Sequence, residues 1–214
     1  MEPTTLDVEY DFQVIIDCLP EDERKRFKIT EELTNVFNEL DLAYKSFGCK
    51  NKSELMAVLN DLLNEASSGK RFMINIVSHG NEKGIGFKES GKFVEWASIA
   101  KLLQNINQAT GNTLILNMTT CKGLNGIKTT GNVAALVSCF GLIGASKNLS
   151  VSKGKVINKY LYRNMMSGMD VPSAVKAANE KVSTDKDKKP LVFCISSEGY
   201  QELAQRLPTN SPSV

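Results

Sequence analysis

Short apolar runs alternate with stretches of helical periodicity along most of this 214-residue chain, and that alternation confines it to an α/β domain. Six strands are predicted: Phe12–Cys18, Leu42–Phe47, Phe72–Val77, Thr113–Met118, Gly141–Ala145 and Leu191–Ser196. A helix from about Thr30 turns Leu33, Val36, Phe37 and Leu40 inward, and a second from Ser53 to Ser67 does the same with Leu55, Leu59 and Leu62. Further helices are expected at Ala97–Asn107, Asn132–Phe140, Lys153–Ser167 and Val171–Val182. Gly84–Phe87 and Phe93–Trp96, joined around Glu89-Ser90-Gly91, read as a hairpin. A charged patch, Glu21–Lys28, precedes the helix from about Thr30. The sum is a six-stranded, mostly parallel sheet with helices on both faces. It forms one domain over residues 1–214, with a frayed tail over 208–214.

Composition closes several routes. The net charge of +2 is spread along the chain, so nucleic acid is not an expected partner, and Lys186-Asp187-Lys188-Lys189 reads as a solvated loop. Met1–Asp11 lacks the order of a signal peptide. The longest apolar stretch, Val133–Ala145, is too short for a bilayer. A soluble, cytoplasmic protein with no membrane partner is expected. Five cysteines without a CxxC pair, and one histidine, argue against a metal site, and no cofactor is expected. Gly84-Ile85-Gly86 leads into a hairpin, so it is no dinucleotide loop. Cys18, Cys139 and Cys194 are expected to be buried and inert, and Cys49 to be an incidental loop residue.

The chemistry gathers at two strand ends. The run Phe72–Val77 leads into Ser78-His79-Gly80, and Thr113–Met118 leads into Thr119-Thr120-Cys121-Lys122-Gly123. Neighbouring strands of an open parallel sheet end on one edge, so the imidazole and the thiol can meet there. A thiol needs a base or a nearby cation to act as a nucleophile near neutral pH. His79 is the one side chain whose unperturbed chemistry suits that work, and it can then protonate a leaving amine. The adjacent glycines let a substrate carbonyl approach the backbone and leave N–H groups for an oxyanion. Taken singly, a strand-end histidine is a loop residue and a lone cysteine is core filler. Their matched placement favours a dyad.

These two motifs resemble those of caspase-like cysteine peptidases. Gly141-Leu142-Ile143-Gly144-Ala145, Tyr160-Leu161-Tyr162 and Gly168-Met169-Asp170-Val171-Pro172-Ser173-Ala174-Val175 are similar to bacterial CHAT-type domains. The resemblance runs from about Phe12 to Ser196 and implies a caspase-like three-layer sandwich. It implies Cys121 as nucleophile, His79 as base and acid, and the N–H groups of Gly80 and Cys121 as oxyanion hole. No third catalytic residue is demanded by it, since a backbone carbonyl can orient the ring.

Relatives that cut after basic residues carry an acidic residue two positions before the cysteine, where this chain has Thr119. Asp17 is then the remaining candidate for a basic-residue pocket, with a water-facing carboxylate as its alternative. Thr119, Ser146, Lys147 and Asn148 are expected to line the pocket. The implied activity is that of an endopeptidase on a protein substrate, through an acyl-thioester, with an activating partner or trigger encoded separately. The implied setting is antiphage defence or programmed cell death, with an effector such as a pore-forming protein as target. A catalytically silent scaffold and a flavodoxin-like ligand-binding module are the rival readings. The loops Lys122–Gly131 and Ser183–Lys189 are candidates for processing or gating.

Overall fold

The computed structural model describes residues 8–81, 84–87, 92–119, 139–145, 148–184 and 191–195. The main sheet holds β1 (Phe12–Asp17), β2 (Tyr44–Gly48), β3 (Phe72–Val77), β7 (Ile115–Thr119), β8 (Gly141–Ala145) and β9 (Leu191–Ile195). Its order is β2-β1-β3-β7-β8-β9, parallel throughout except for the antiparallel pairing of β9 to β8. A second sheet of three short antiparallel strands follows β3: β4 (His79–Gly80), β5 (Gly84–Phe87) and β6 (Lys92–Glu95).

Every residue of β1 and β3 is buried, because helices cover both faces of the sheet. The alternation of side chains divides the core in two. Val14, Ile16, Ile74, Ile76, Leu116 and Met118 face α3 (Lys52–Ser67) and α4 (Trp96–Ala109). Ile15, Met73, Val77, Ile115 and Ile143 face α2 (Ile29–Glu39), α5 (Val151–Met166) and α6 (Val171–Glu180). Phe37 is fully buried there, edge-on to Tyr162 at 4.7 Å. Burying such a ring stabilises by about 2 kcal/mol, and Phe37→Ala should cost roughly 3–5 kcal/mol.

A polar network fixes the register of the central strands. Asn75 and Asn117 are direct partners on β3 and β7, and both are fully buried. Asn75 donates to the Val14 carbonyl at 3.0 Å; Asn117 donates to Asn75 and to Asn158 of α5, each at 3.0 Å. The Tyr162 hydroxyl donates to Asn75 Oδ1. A slip of one residue would break every one of these bonds and turn the core side chains to the wrong face. The network therefore sets where β3 and β7 end, two residues further on.

Several expectations need correction. The charged patch before α2 is itself helical: Glu21–Phe27 forms α1, with an acidic first turn, basic residues in its last turn, and Pro20 before it. Lys28, at φ 51, ends α1 and starts α2, so the second helix begins at Ile29 and the Thr30 hydroxyl is used elsewhere. Trp96 is the first residue of α4 and packs in the core. Cys139 and Phe140 are not helical; the rest of the expected Asn132–Phe140 helix lies outside the described residues. Cys49 is fully buried, not an incidental loop residue.

Candidate active site

Strand order reverses direction at β1: the chain passes to β2 on one side, then returns to β3 on the other. The crevice at the carboxyl ends of β1 and β3 is thus the topological switch point, where open α/β sheets place their ligands. Asp17, Val77 and Thr119 end β1, β3 and β7 at this edge, and Val77 is the direct partner of both other residues.

From β1 the chain turns sharply. Cys18 N–H donates to the Val77 carbonyl at 2.7 Å, and Leu19 N–H to Asp17 Oδ1 at 2.9 Å. The helix α1 then folds back over the edge. Its Arg24 pairs with Asp17 Oδ1 through Nε at 3.2 Å, and its Nη2 donates to the carbonyls of Asp17 (2.8 Å) and Cys49 (3.2 Å). Gly48 makes room for this, since a Cβ there would lie 2.6 Å from Arg24 Nη1. Thr30 completes the latch by donating to Asp17 Oδ2 at 2.6 Å.

The expected role of Asp17 in a substrate pocket does not fit this geometry. The side chain is buried, and both oxygens accept bonds from within the molecule. Its negative charge is matched by Arg24 and has none to spare for a substrate cation. Asp17 fastens α1 to the sheet edge.

His79 stands two residues beyond the end of β3. Its side chain is 46% exposed, enough to meet a substrate, and Nε2 is hydrogen-bonded to Glu23 Oε2 of α1. An ionised carboxylate can only accept, so a contact with ionised Glu23 makes Nε2 the donor and leaves Nδ1 facing away from the carboxylate. The pairing of β4 with β5 holds the histidine backbone: His79 opposes Gly86, and Gly80 opposes Ile85. Gly86 in turn opposes Phe93, giving a row of His79, Gly86 and Phe93 on one face. A Cβ on Gly86 would lie 3.0 Å from the Phe93 ring and 3.4 Å from His79 Cβ. Phe93 is 49% exposed beside the imidazole. Ser78 is buried, and its hydroxyl has no hydrogen-bond partner among the described residues.

Cys121, Ser146 and Lys147 lie outside the described residues; Thr119 closes β7 opposite Val77. Cys18, Cys49 and Cys139 are free and buried. The Cys18 thiol is pushed far up, first by its hydrogen bond to the Cys49 sulfur and then by burial, which makes it a poor nucleophile. Among the described residues, no group of three or more His, Cys, Asp or Glu could hold a metal ion, and no helix is long and apolar enough to cross a membrane.

The residue that sequence reasoning missed is Glu23. The signal for its helix was present: Pro20 followed by Glu21-Asp22-Glu23 is a helix-start pattern. Which of the three carboxylates turns inward depends on how α1 is anchored, and that is a matter of tertiary packing.

No family model matches the chain, and no curated protein does. Solved structures do. The Drosophila initiator caspase Dronc is similar with a TM-score of 0.62 and 15% identity, covering 86% of this chain and 79% of that one. The structure of drICE is similar with a TM-score of 0.56 and 14% identity, covering 87% of each chain. The fold is caspase-like: an α/β sandwich on a six-stranded, mostly parallel sheet.

Proposed function

We propose that this chain is a cysteine endopeptidase in which Cys121 is the nucleophile and His79 the proton carrier. One observation carries the reading. A half-exposed imidazole stands at the switch-point edge of a caspase-like sheet, and the strand beside it leads, two residues past its end, to Cys121.

In the reaction, the sulfur attacks the scissile carbonyl carbon as the thiol proton passes to the imidazole. The N–H groups of Gly80 and Cys121 hold the oxyanion. Collapse of the tetrahedral species breaks the C–N bond, and His79 returns the proton to the departing amine. An acyl-thioester remains. Water, losing a proton to His79, then attacks it and releases the acid and the free thiol.

Thr119, Ser146 and Lys147 line the pocket for the residue before the cut. With Asp17 committed to Arg24, that pocket has no assigned carboxylate, so a small or uncharged residue suits it best. The finer identity extends the CHAT-type resemblance: a protease with a separately encoded trigger, cleaving an effector such as a pore-forming protein in antiphage defence or programmed death.

A peptide library with cleavage read by mass spectrometry tests the core of this. Wild type should cut with a defined preference, and Cys121→Ala and His79→Ala should not. Equal cutting by wild type and Cys121→Ala, or none by wild type under any activating condition, would reject the enzyme in favour of a silent scaffold.

A further inference from the structure

We propose that Glu23 is the positioning residue of this site, making the working unit a carboxylate–imidazole–thiol chain rather than a dyad. The inference deepens the peptidase reading and rests on His79 being its base.

The geometry distinguishes Glu23 from its neighbours. Glu21 and Asp22 are exposed, whereas Glu23 is 8% exposed, an uncommon environment for a carboxylate without a specific partner. Its Oε2 meets Nε2 of the single histidine in the chain. Each side of the contact is held by a sheet, Glu23 by the main one and His79 by the small one. Arg24, the next residue of α1, binds the Asp17 side chain and the carbonyls that end β1 and follow β2. On the other side, β4 is held by its pairing with β5. A carboxylate anchored in this way performs two tasks. It stops rotation of a half-exposed ring, and as a pure acceptor it keeps the proton on Nε2, so that Nδ1 is the nitrogen offered to the thiol.

Carboxamide and carboxylate differ usefully here. Glu23→Gln has nearly the same shape but can accept from Nε2–H or donate to a bare Nε2. It should therefore relax the tautomer without disturbing α1. Glu23→Ala removes the partner altogether.

The test uses the full-length chain with 15N-labelled histidine, whose one imidazole makes the spectrum unambiguous. In wild type the neutral ring should be the Nε2–H tautomer. Glu23→Gln should show a mixture, and Glu23→Ala should lose the bias. In parallel, kcat/KM should fall about 10- to 100-fold in Glu23→Ala, carried by kcat with KM nearly unchanged, and less in Glu23→Gln. Unchanged tautomer signals in a folded Glu23→Gln variant would overturn the proposal, as would unchanged kcat in Glu23→Ala. A tautomer shift in a chain whose wild type shows no Cys121-dependent cleavage would sustain the pairing and overturn the peptidase reading alone.

Discussion

Replacing Asp17 separates a structural latch from a substrate pocket. Its carboxylate accepts from Leu19 N–H and the Thr30 hydroxyl and is ion-paired with Arg24 at 3.2 Å, and the side chain is 6% exposed. Asp17→Ala strands both donors and removes the counter-charge of Arg24. Breaking a buried ion pair costs about 3–5 kcal/mol, and an unsatisfied buried N–H alone about 1–3 kcal/mol. Arg24 is one-quarter exposed and keeps two carbonyl acceptors, which places the loss near the lower bound, about 3 kcal/mol. That is a large share of a stability of about 5–15 kcal/mol, and should lower Tm by roughly 6–12 °C. Asp17→Asn keeps an acceptor but loses the charge, so it should cost about half as much. Urea unfolding followed by fluorescence of the single tryptophan, the buried Trp96, reads both variants. A double-mutant cycle with Arg24→Met should return a coupling of about 1–3 kcal/mol. An Asp17→Asn variant that unfolds within about 0.5 kcal/mol of wild type while its cleavage preference for Lys or Arg changes would refute the latch.

Tyr162→Phe deletes one donor from the buried asparagine network and should cost about 1 kcal/mol in urea unfolding; Asn75→Leu leaves several groups unpaired and should cost about 3 kcal/mol. Asp170 caps α6, and the hydrogen bonds from the Ser173 hydroxyl and then its N–H hold its carboxyl below the ordinary 3.8. Its stabilisation is therefore complete above that value and disappears as pH falls through the depressed one. Asp170→Ala should cost up to about 1 kcal/mol at neutral pH and nothing in strong acid, as checked by unfolding at both. Phe93→Ala, which removes an exposed apolar wall beside His79, should raise KM several-fold for peptides with a large apolar residue after the cut and leave kcat within twofold.

The sheet was legible because its strands are apolar runs buried on both faces, and β1, β3 and β8 end where the sequence places them to within one residue. The place of His79 just past β3 was legible because the apolar run stops at Val77. The α1 helix announced itself only by its start signal at Pro20-Glu21-Asp22-Glu23, because seven residues dominated by charge carry no apolar stripe, and Arg24 anchors it by reaching across to two strand ends. Asp17 was misread because its position at the sheet edge is visible in sequence while its partners, one from α1 and one from α2, are not. The burial of Cys49 had the same cause: it follows β2 and pairs through its N–H with the Asp17 carbonyl, a parallel neighbour that only the topology supplies.

The most direct measurement is the rate at which a small alkylating agent such as iodoacetamide modifies Cys121 at neutral pH, followed by mass spectrometry in wild type and His79→Ala. If the imidazole takes the thiol proton, Cys121 should react at least tenfold faster in wild type than in the variant, and faster than Cys18, Cys49 or Cys139. Equal rates in the two proteins would show that sulfur and ring do not communicate, and the peptidase account would be contradicted at its root.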